Sequence, residues 1–362
     1  MKKTLLAWIW LLMLSGCATQ QLELPDMGII NREQMLEDFS VDSMWWKAYG
    51  DSQLNALVTE ALENNIDLAR SAITVNRALY QARQQGANLA PSFSAGQNSS
   101  LSKNLESGNS SDSYSANLGL SYELDLWGKL RNAASAQEWE YLATVEDKEA
   151  ARLALVNNTV KAYFNLLYTR QALAASQGSL DFYQQLADIT TERNRVGKID
   201  GLEVVTAQQA LLAERNNLLN LETQIKTSEQ TIRNLLNMRP DDALTLETIN
   251  LLSLKTAPLD LEVPLQALGL RPDVKAAEYR LQRAYNNLGA EQASLYPSIS
   301  IGSTLSSQAS NLGDIFSVPI LGASIKLNLP FLNWNTLRWN IKISEEQLRD
   351  AELAFSQKIP RP

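Results

Sequence analysis

Apolar and polar residues alternate in four stretches of the chain. In the clearest, residues 114–124, every second side chain is apolar or aromatic, and the residues between are Ser, Asn, Gly or Glu. A period of two places successive side chains on opposite faces of a β-strand. The pattern therefore predicts four strands in two hairpins, connected through the polar segments 103–112 and 308–318. The other strands are expected at 92–103, where the alternation is weaker, at 298–305 and at 321–329.

Each predicted strand has one face suited to lipid and one suited to water. A strand between a bilayer and a wet channel needs this division, and a strand of a soluble sandwich with one wet face would show it too. The membrane interpretation is favoured because the strands interrupt very long predicted helices. The residues expected to face lipid are Leu118, Leu120, Ile299, Ile301, Ile325 and Leu327.

Four strands leave two open edges, and open edges cannot lie in hydrocarbon. Copies of the chain must therefore close the sheet into a barrel. Two copies would supply eight strands, which leave little lumen, whereas three would supply twelve, which leave a channel. The strands thus favour a trimer if the protein conducts anything.

A second pattern, with a period of seven, predicts a long helical hairpin. Residues 131–195 could form a helix of roughly 100 Å at 1.5 Å per residue. Gly197 and Gly201 favour a reversal of the chain at 195–201. The heptad positions, which indicate a coiled-coil-like seam, are Leu153, Val160, Leu167 and Ala174 before the turn and Val204, Leu211, Leu218, Ile225 and Ile232 after it.

One sequence unit occurs twice, 206 residues apart. Each copy begins with an acid, Asp67 or Asp273, and continues as a helix to a proline, Pro91 or Pro297, where a strand follows. We expect both acids to be helix caps or first-turn acids. The segment that precedes the first copy is predicted to be an amphipathic helix from Trp45.

The N-terminus resembles a lipoprotein signal. Lys2 and Lys3 precede a short apolar run, and Leu14-Ser15-Gly16 leads to Cys17, the single cysteine of the chain. We expect lipid attachment at Cys17; an ordinary signal peptide with an incidental cysteine is the alternative. Ala18 is not the Asp that typically retains bacterial lipoproteins at the inner membrane, so the outer membrane is the expected location.

Composition excludes several classes of function. The chain has no histidine, which removes the commonest metal ligand and general base. Its formal net charge of -8 without a basic cluster argues against nucleic acid. Glu123 and Asp125 could suggest paired catalytic carboxylates, but a structural or lumen-facing role is favoured. We expect no enzyme activity, no cofactor and no metal.

Several motifs resemble the lipoprotein branch of the TolC-like outer-membrane efflux proteins. They are the stretch 122–131, which reads YELDLWGKLR, the stretch 270–274, which reads LRPDV, and Trp45-Trp46 with Gly50-Asp51. The resemblance implies a homotrimer with a twelve-stranded barrel in the outer membrane and a helical barrel in the periplasm. It also implies a periplasmic adaptor and an inner-membrane pump as partners. The turn residues Arg195, Val196, Gly197 and Lys198 resemble the adaptor-docking tip.

The resemblance divides the chain into nine parts. They are a signal peptide (1–16), a lipidated linker (17–44), periplasmic helices (45–90), a first barrel hairpin (91–127), a long helical hairpin (128–238), an inter-repeat linker (239–271), a second repeat helix (272–296), a second barrel hairpin (297–331) and the start of a second helical hairpin (332–362).

The chain departs from the family pattern in two places. Leu337-Arg338 matches Leu130-Arg131, yet only 24 residues follow, so we expect a C-terminally truncated second hairpin. At the tip, Gly197-Lys198 stands where the family often has Gly-Leu. We expect that this 362-residue form does not support efflux.

The expected function is passive conduction of small molecules or drugs as the outer-membrane component of a tripartite efflux system. Three alternatives remain open at this point. The chain could be the duct of a protein secretion system, an inactive fragment, or a lipid-anchored coiled-coil protein that forms no pore.

Overall fold

The computed structural model describes residues 44–254, 269–315, 317 and 319–359. The predicted signal peptide, Cys17 and the lipidated linker up to residue 43 lie outside the described residues. Within the described ranges the chain is mostly helical, with four strands, as the sequence patterns predict. The α-helices are α1 (Ser52–Asn64), α2 (Ile66–Gly86), α3 (Lys129–Arg195), α4 (Gly201–Leu235), α5 (Pro272–Ala293) and α6 (Trp334–Lys358). The strands are β1 (Ser92–Lys103), β2 (Ser110–Leu124), β3 (Ser298–Ala309) and β4 (Ile320–Asn328).

The strands form one antiparallel sheet in the order β1-β2-β3-β4. The two predicted hairpins are therefore joined, because β2 pairs with β3 from Tyr114 opposite Ala309 to Leu124 opposite Ile299. Strands β1 and β4 are the edges of this sheet.

The 67-residue helix α3 is the spine of the helical region. Helices α2, α4 and α5 pack against it, and α6 packs against α5. The largest core lies where α1, α3 and α4 meet. Its fully buried members include Leu54 and Val58 of α1, Tyr163 and Leu167 of α3, and Ile232 of α4.

The predicted amphipathic helix from Trp45 is interrupted, which corrects the sequence-based expectation. Residues Trp45–Tyr49 form a short 3-10 helix, and Gly50 then adopts a left-handed φ of 69°. Asp51 restarts the helix because its Oδ1 accepts the backbone N–H groups of Gln53 at 2.8 Å and Leu54 at 3.2 Å.

The predicted seam of the long hairpin is confirmed on α4 and shifts on α3. On α4, Leu211 and Ile232 are buried, and Val204, Leu218 and Ile225 are partly buried. On α3, the predicted Ala174 is exposed and Ser176 is buried in its place. A nearly straight α-helix drifts by about 20° per heptad from a strict seven-residue repeat, so a long inward face must change register.

Candidate functional site

The register of the sheet gathers the six predicted lipid-facing residues on a single face. Directly opposite residues share a face, and Ile301 lies opposite both Tyr122 and Ile325. Leu118 and Leu120 lie on the same face of β2 as Tyr122. Ile299 lies on the same face of β3 as Ile301, and Leu327 lies opposite Ile299 on β4. This apolar face is open: Leu118 is 52% exposed and Ile325 is 80% exposed. A face of this size and composition needs a partner outside the chain.

The opposite face of the sheet is lined by small polar residues. Asn117, Ser121, Ser300 and Ser324 are typical of its positions. Within the four strands, the only charged residues on this face are Glu123 and Lys326. Both lie opposite Ser300, one on each neighbouring strand, at the end of the sheet nearest the helices.

Asp125 has a structural role at the junction between β2 and α3. Its carboxylate accepts hydrogen bonds from the backbone N–H of Leu130 at 2.9 Å, and from the backbone and Nε of Arg131, both at 3.0 Å. Gly128 precedes α3 with a left-handed φ of 75°, a conformation that favours glycine. The structure therefore separates the two carboxylates: Asp125 caps a helix, whereas Glu123 lies on the polar face of the sheet.

A second contact ties the junction between β2 and α3 to the junction between α5 and β3. The indole Nε1 of Trp127 donates to the backbone oxygen of Pro297 at 2.8 Å. The Trp127 ring also stacks on Tyr296, with ring centroids 4.9 Å apart. The motif after β2 thus holds the chain that enters β3.

The two acids at the repeat starts lie in the first turns of their helices. Asn65, not Asp67, caps α2, since its Oδ1 accepts the N–H of Leu68 at 3.0 Å. Asp273 pairs with Arg271 at 2.9 Å. Hydrogen bonds from Arg271 hold the pKa of Asp273 below its ordinary value. Both acids are therefore first-turn acids of their helices, as the sequence predicts.

The turn of the long hairpin is a compact helix-to-helix reversal. Gly197 has a φ of 72°, and the backbone N–H of Lys198 donates to the carbonyl of Arg193 at 2.9 Å. Asp200 then caps α4. Arg195 pairs with Glu192 at 2.8 Å, and Val196 is 53% exposed. Each of the four predicted tip residues lies in this reversal, with Val196 presenting an apolar side chain at its surface.

Polar residues within the hairpin seam are paired across it. The Asn165 amide donates to the hydroxyl of Ser228 at 2.9 Å, and Ser176 donates to the carboxylate of Glu214. These contacts satisfy the polar groups that interrupt the apolar heptads.

A buried hydrogen-bond network, which the sequence patterns do not predict, ties α1 to α3. The hydroxyl of Tyr163 donates to Oδ2 of Asp51 at 2.5 Å. Gln53 links this pair to the segment after α4, because its Oε1 accepts the backbone N–H of Glu247 at 2.9 Å. Burial, followed by the bond to Asp51, raises the pKa of Tyr163. The helix-cap signal at Gly50-Asp51 is visible in the sequence, but its distant partner is not.

Ion pairs join α5 to α3 along the spine. Arg280 contacts Asp147, and Arg283 pairs with Glu140 at 2.9 Å. The hydrogen bond from Arg280 to Asp147 raises the pKa of Arg280. No helix in the described ranges is long and apolar enough to cross a membrane. Those same residues hold no cluster of three potential metal ligands of the His, Cys, Asp and Glu types.

A sheet with one apolar and one small-polar face, continuous with a helical hairpin of about 100 Å, defines the subunit of a channel that extends far from its membrane. The model of the outer membrane efflux protein family matches residues 57–238 and 263–360. The chain belongs to this family. It is an outer-membrane efflux channel protein.

Known relatives support this assignment. A Haemophilus influenzae protein without an assigned function is 42% identical, over 99% of this chain and 80% of the relative. "Toxin and drug export protein A" of Aggregatibacter actinomycetemcomitans is 40% identical, over 90% of this chain and 72% of the relative. A crystal structure of CusC superposes with a TM-score of 0.76 at 28% identity, and covers 88% of this chain and 75% of that one.

Proposed function

We propose that three copies of the chain form a passive duct, through which a pump in the inner membrane expels small molecules, including drugs, across the outer membrane. The observation that carries this proposal is the pair of open edges, β1 and β4, at opposite sides of one amphipathic sheet. Pairing β4 of one copy with β1 of the next leaves no edge. Three copies then supply twelve strands, enough for a channel.

The helical region is open on the same two sides as the sheet. Helix α2 leads into β1 and α6 follows β4, and both helices expose large apolar residues. Ile73 and Tyr80 of α2 are each 66% exposed; Trp339 and Ile343 of α6 are 58% and 57% exposed. Because the two surfaces differ, their contact is heterologous, and the barrel formed by the strands requires it to close into a ring.

The remaining parts of the duct follow from this arrangement. The six residues of the apolar sheet face contact lipid, and the opposite face lines the lumen. Cys17 carries the lipid anchor. The barrel hairpins are residues 91–127 and 297–331, and the helices on either side of them lie in the periplasm. The duct conducts passively and catalyses no reaction. The free energy for export comes from the pump.

The tip of the long hairpin is the proposed contact with a periplasmic adaptor. Arg195, Val196, Gly197 and Lys198 lie farthest along α3 from the sheet, in a reversal fixed by its own backbone hydrogen bonds. Lys198→Glu should weaken adaptor capture in a pull-down. Lys226→Glu, further along α4 on an exposed position, is the control.

Chemical cross-linking tests the trimer. Tyr80→Cys and Ile343→Cys combined in one chain should give dimers and trimers with a flexible bis-maleimide, and no larger species. Either variant alone should give no cross-link, because positions 80 and 343 lie on different surfaces and the sulfur of Cys17 is acylated in the proposed anchor. Cross-linking by a single variant, or a ladder beyond three copies, would contradict the ring.

Complementation of a strain without its own duct tests export. Restored drug resistance supports the proposal, whereas assembled trimers in the outer membrane that restore no resistance would contradict drug export by this chain. Toxin export is the second candidate, because the relative with 40% identity is named for toxin and drug export. Secretion of a toxin without restored drug resistance would favour it.

A further inference from the structure

We propose that Glu123 and Lys326 form a charge-balanced ring at the helix-proximal end of the barrel lumen, and that this ring sets the ion selectivity of the barrel. The inference rests on the proposed trimeric duct. Its basis is the isolation of these two residues: Ser, Thr, Asn, Gln, Gly and Ile320 occupy every other strand position on the polar face of the sheet.

The register places the two charges side by side. Glu123 is opposite Ser300 on β3, and Ser300 is opposite Lys326 on β4. Two strand spacings of about 4.8 Å separate their Cα atoms by roughly 10 Å. Lys326 is exposed and Glu123 is partly exposed. The two charged residues therefore flank the same small serine, on the face that lines the proposed lumen.

Ring closure repeats this two-strand separation around the whole barrel. Within one copy, Glu123 on β2 is two strands from Lys326 on β4. Between copies, Lys326 on β4 is again two strands from the next Glu123, through the neighbouring β1. Three copies thus place charges of alternating sign on every second strand, with a net charge of zero.

Alternation has a direct consequence for the solutes that pass. Rings of like charge in a pore select ions of the opposite sign. A ring with both signs opposes neither cations nor anions, and it offers partners to solutes that carry both charges. Removing one sign converts the ring into a selective one.

Reversal potentials of purified trimers in planar bilayers, under a potassium chloride gradient, test the ring. Glu123→Gln leaves three lysines and should lower the potassium-to-chloride permeability ratio by about twofold or more, and Lys326→Gln should raise it similarly. The double variant should return towards the wild-type ratio. Lys326→Glu, which reverses the charge, should give the largest shift towards cations.

Matched controls separate the ring from the net charge of the chain. Asp112→Asn and Lys103→Gln remove the same charges near the far ends of β2 and β1, on the opposite sheet face, and should leave the ratio unchanged. Shifts no larger than those of the controls, or shifts in the same direction for both ring variants, would overturn the proposal. If one ring variant fails to assemble, the other still tests the predicted direction. Trimers that conduct no current at all would overturn the duct and this ring together.

Discussion

The long hairpin and the sheet use apolar residues in opposite ways. Along the hairpin, apolar side chains such as Leu167 and Leu211 are buried within one chain. On the sheet, apolar side chains such as Ile325 and Leu321 are 80% and 75% exposed in the same chain. One region therefore contains much of its own core, and the other has an apolar face that must be covered from outside the chain.

The difference shows where each region obtains its stability. The root of the hairpin is the core where α1, α3 and α4 meet. In the hairpin and its root, burial of apolar area stabilises the fold without a membrane. In the sheet, the ladders that join β1, β2, β3 and β4 lie within the chain, while the apolar face gains little until the proposed contact with lipid replaces water. Substitutions should separate these two sources of stability. A substitution in the helical core should lower the stability of the helical region in any medium, whereas a substitution on the apolar sheet face should lower stability only where that face contacts a membrane.

The largest effect is expected from a core truncation at the root of the hairpin. Leu167 is fully buried, and Leu167→Ala removes buried methyl groups and leaves a cavity, which costs about 2–5 kcal/mol. Leu219→Ala, at a position 60% exposed on α4, is the matched control. Thermal unfolding of the helices, followed by circular dichroism in detergent, should show a lower Tm for the first variant only. Equal shifts would mean that the hairpin core is not self-contained.

A neighbouring pair on β2 tests the sheet. Leu120→Arg places a charge on the proposed lipid face and should cost about 2–4 kcal/mol near the middle of the membrane. Ser121→Arg places the same charge on the polar face, where water solvates it, and should cost far less. Heat-modifiable trimer on gels measures the assembled fraction. A similar loss from both substitutions would contradict the assignment of the two faces.

Much of this architecture could be predicted from local patterns. The alternation at 114–124 and the glycines at 195–201 are periodic or conformational signals, and the structure places a strand and a helical reversal there. Asp67 and Asp273 likewise follow from the preference of helix starts for acids. Each of these features depends on neighbours in sequence, so the sequence alone carries it.

Features that depend on distant residues could not be predicted. The bond from Tyr163 to Asp51 joins residues 112 positions apart, and no local period indicates it. The pairing of β2 with β3 also lies outside local patterns, because 173 residues separate the two strands. No local pattern indicates the break at Gly50, because Trp46, Leu54 and Leu57 keep a helical spacing across it.

The buried network at the hairpin root gives a medium effect. Tyr163→Phe removes the hydroxyl that donates to Asp51 and leaves a buried carboxylate oxygen without that partner, which costs about 1–3 kcal/mol. Tyr168→Phe, at a position 63% exposed on the same helix, is the control. Hydrogen exchange of α1 should become faster in the first variant and remain unchanged in the second. Unchanged exchange in both would show that apolar packing alone holds α1 on the spine.

The smallest effect concerns whether ion pairs add to the self-contained stability of the helical region. Hydrogen bonds from Arg271 lower the pKa of Asp273 from its ordinary 3.8, so the folded state favours the charged carboxylate. The stabilisation is therefore complete above that ordinary value and is lost as the pH falls through it and through the lowered folded value. Both side chains are partly exposed, so Asp273→Asn should cost about 0.2–1 kcal/mol at neutral pH.

The pH dependence separates this contribution from packing. Wild type and Asp273→Asn should differ in Tm at neutral pH and converge in acid, where the wild-type carboxyl is protonated. Asp67→Asn is the comparison, because the Asp67 side chain is 88% exposed and 3.7 Å from Arg70, and its effect on Tm at neutral pH should be smaller. A difference at Asp273 that persists in acid would show that the residue acts through its shape at the helix start. The helical region would then be stabilised there without help from charge.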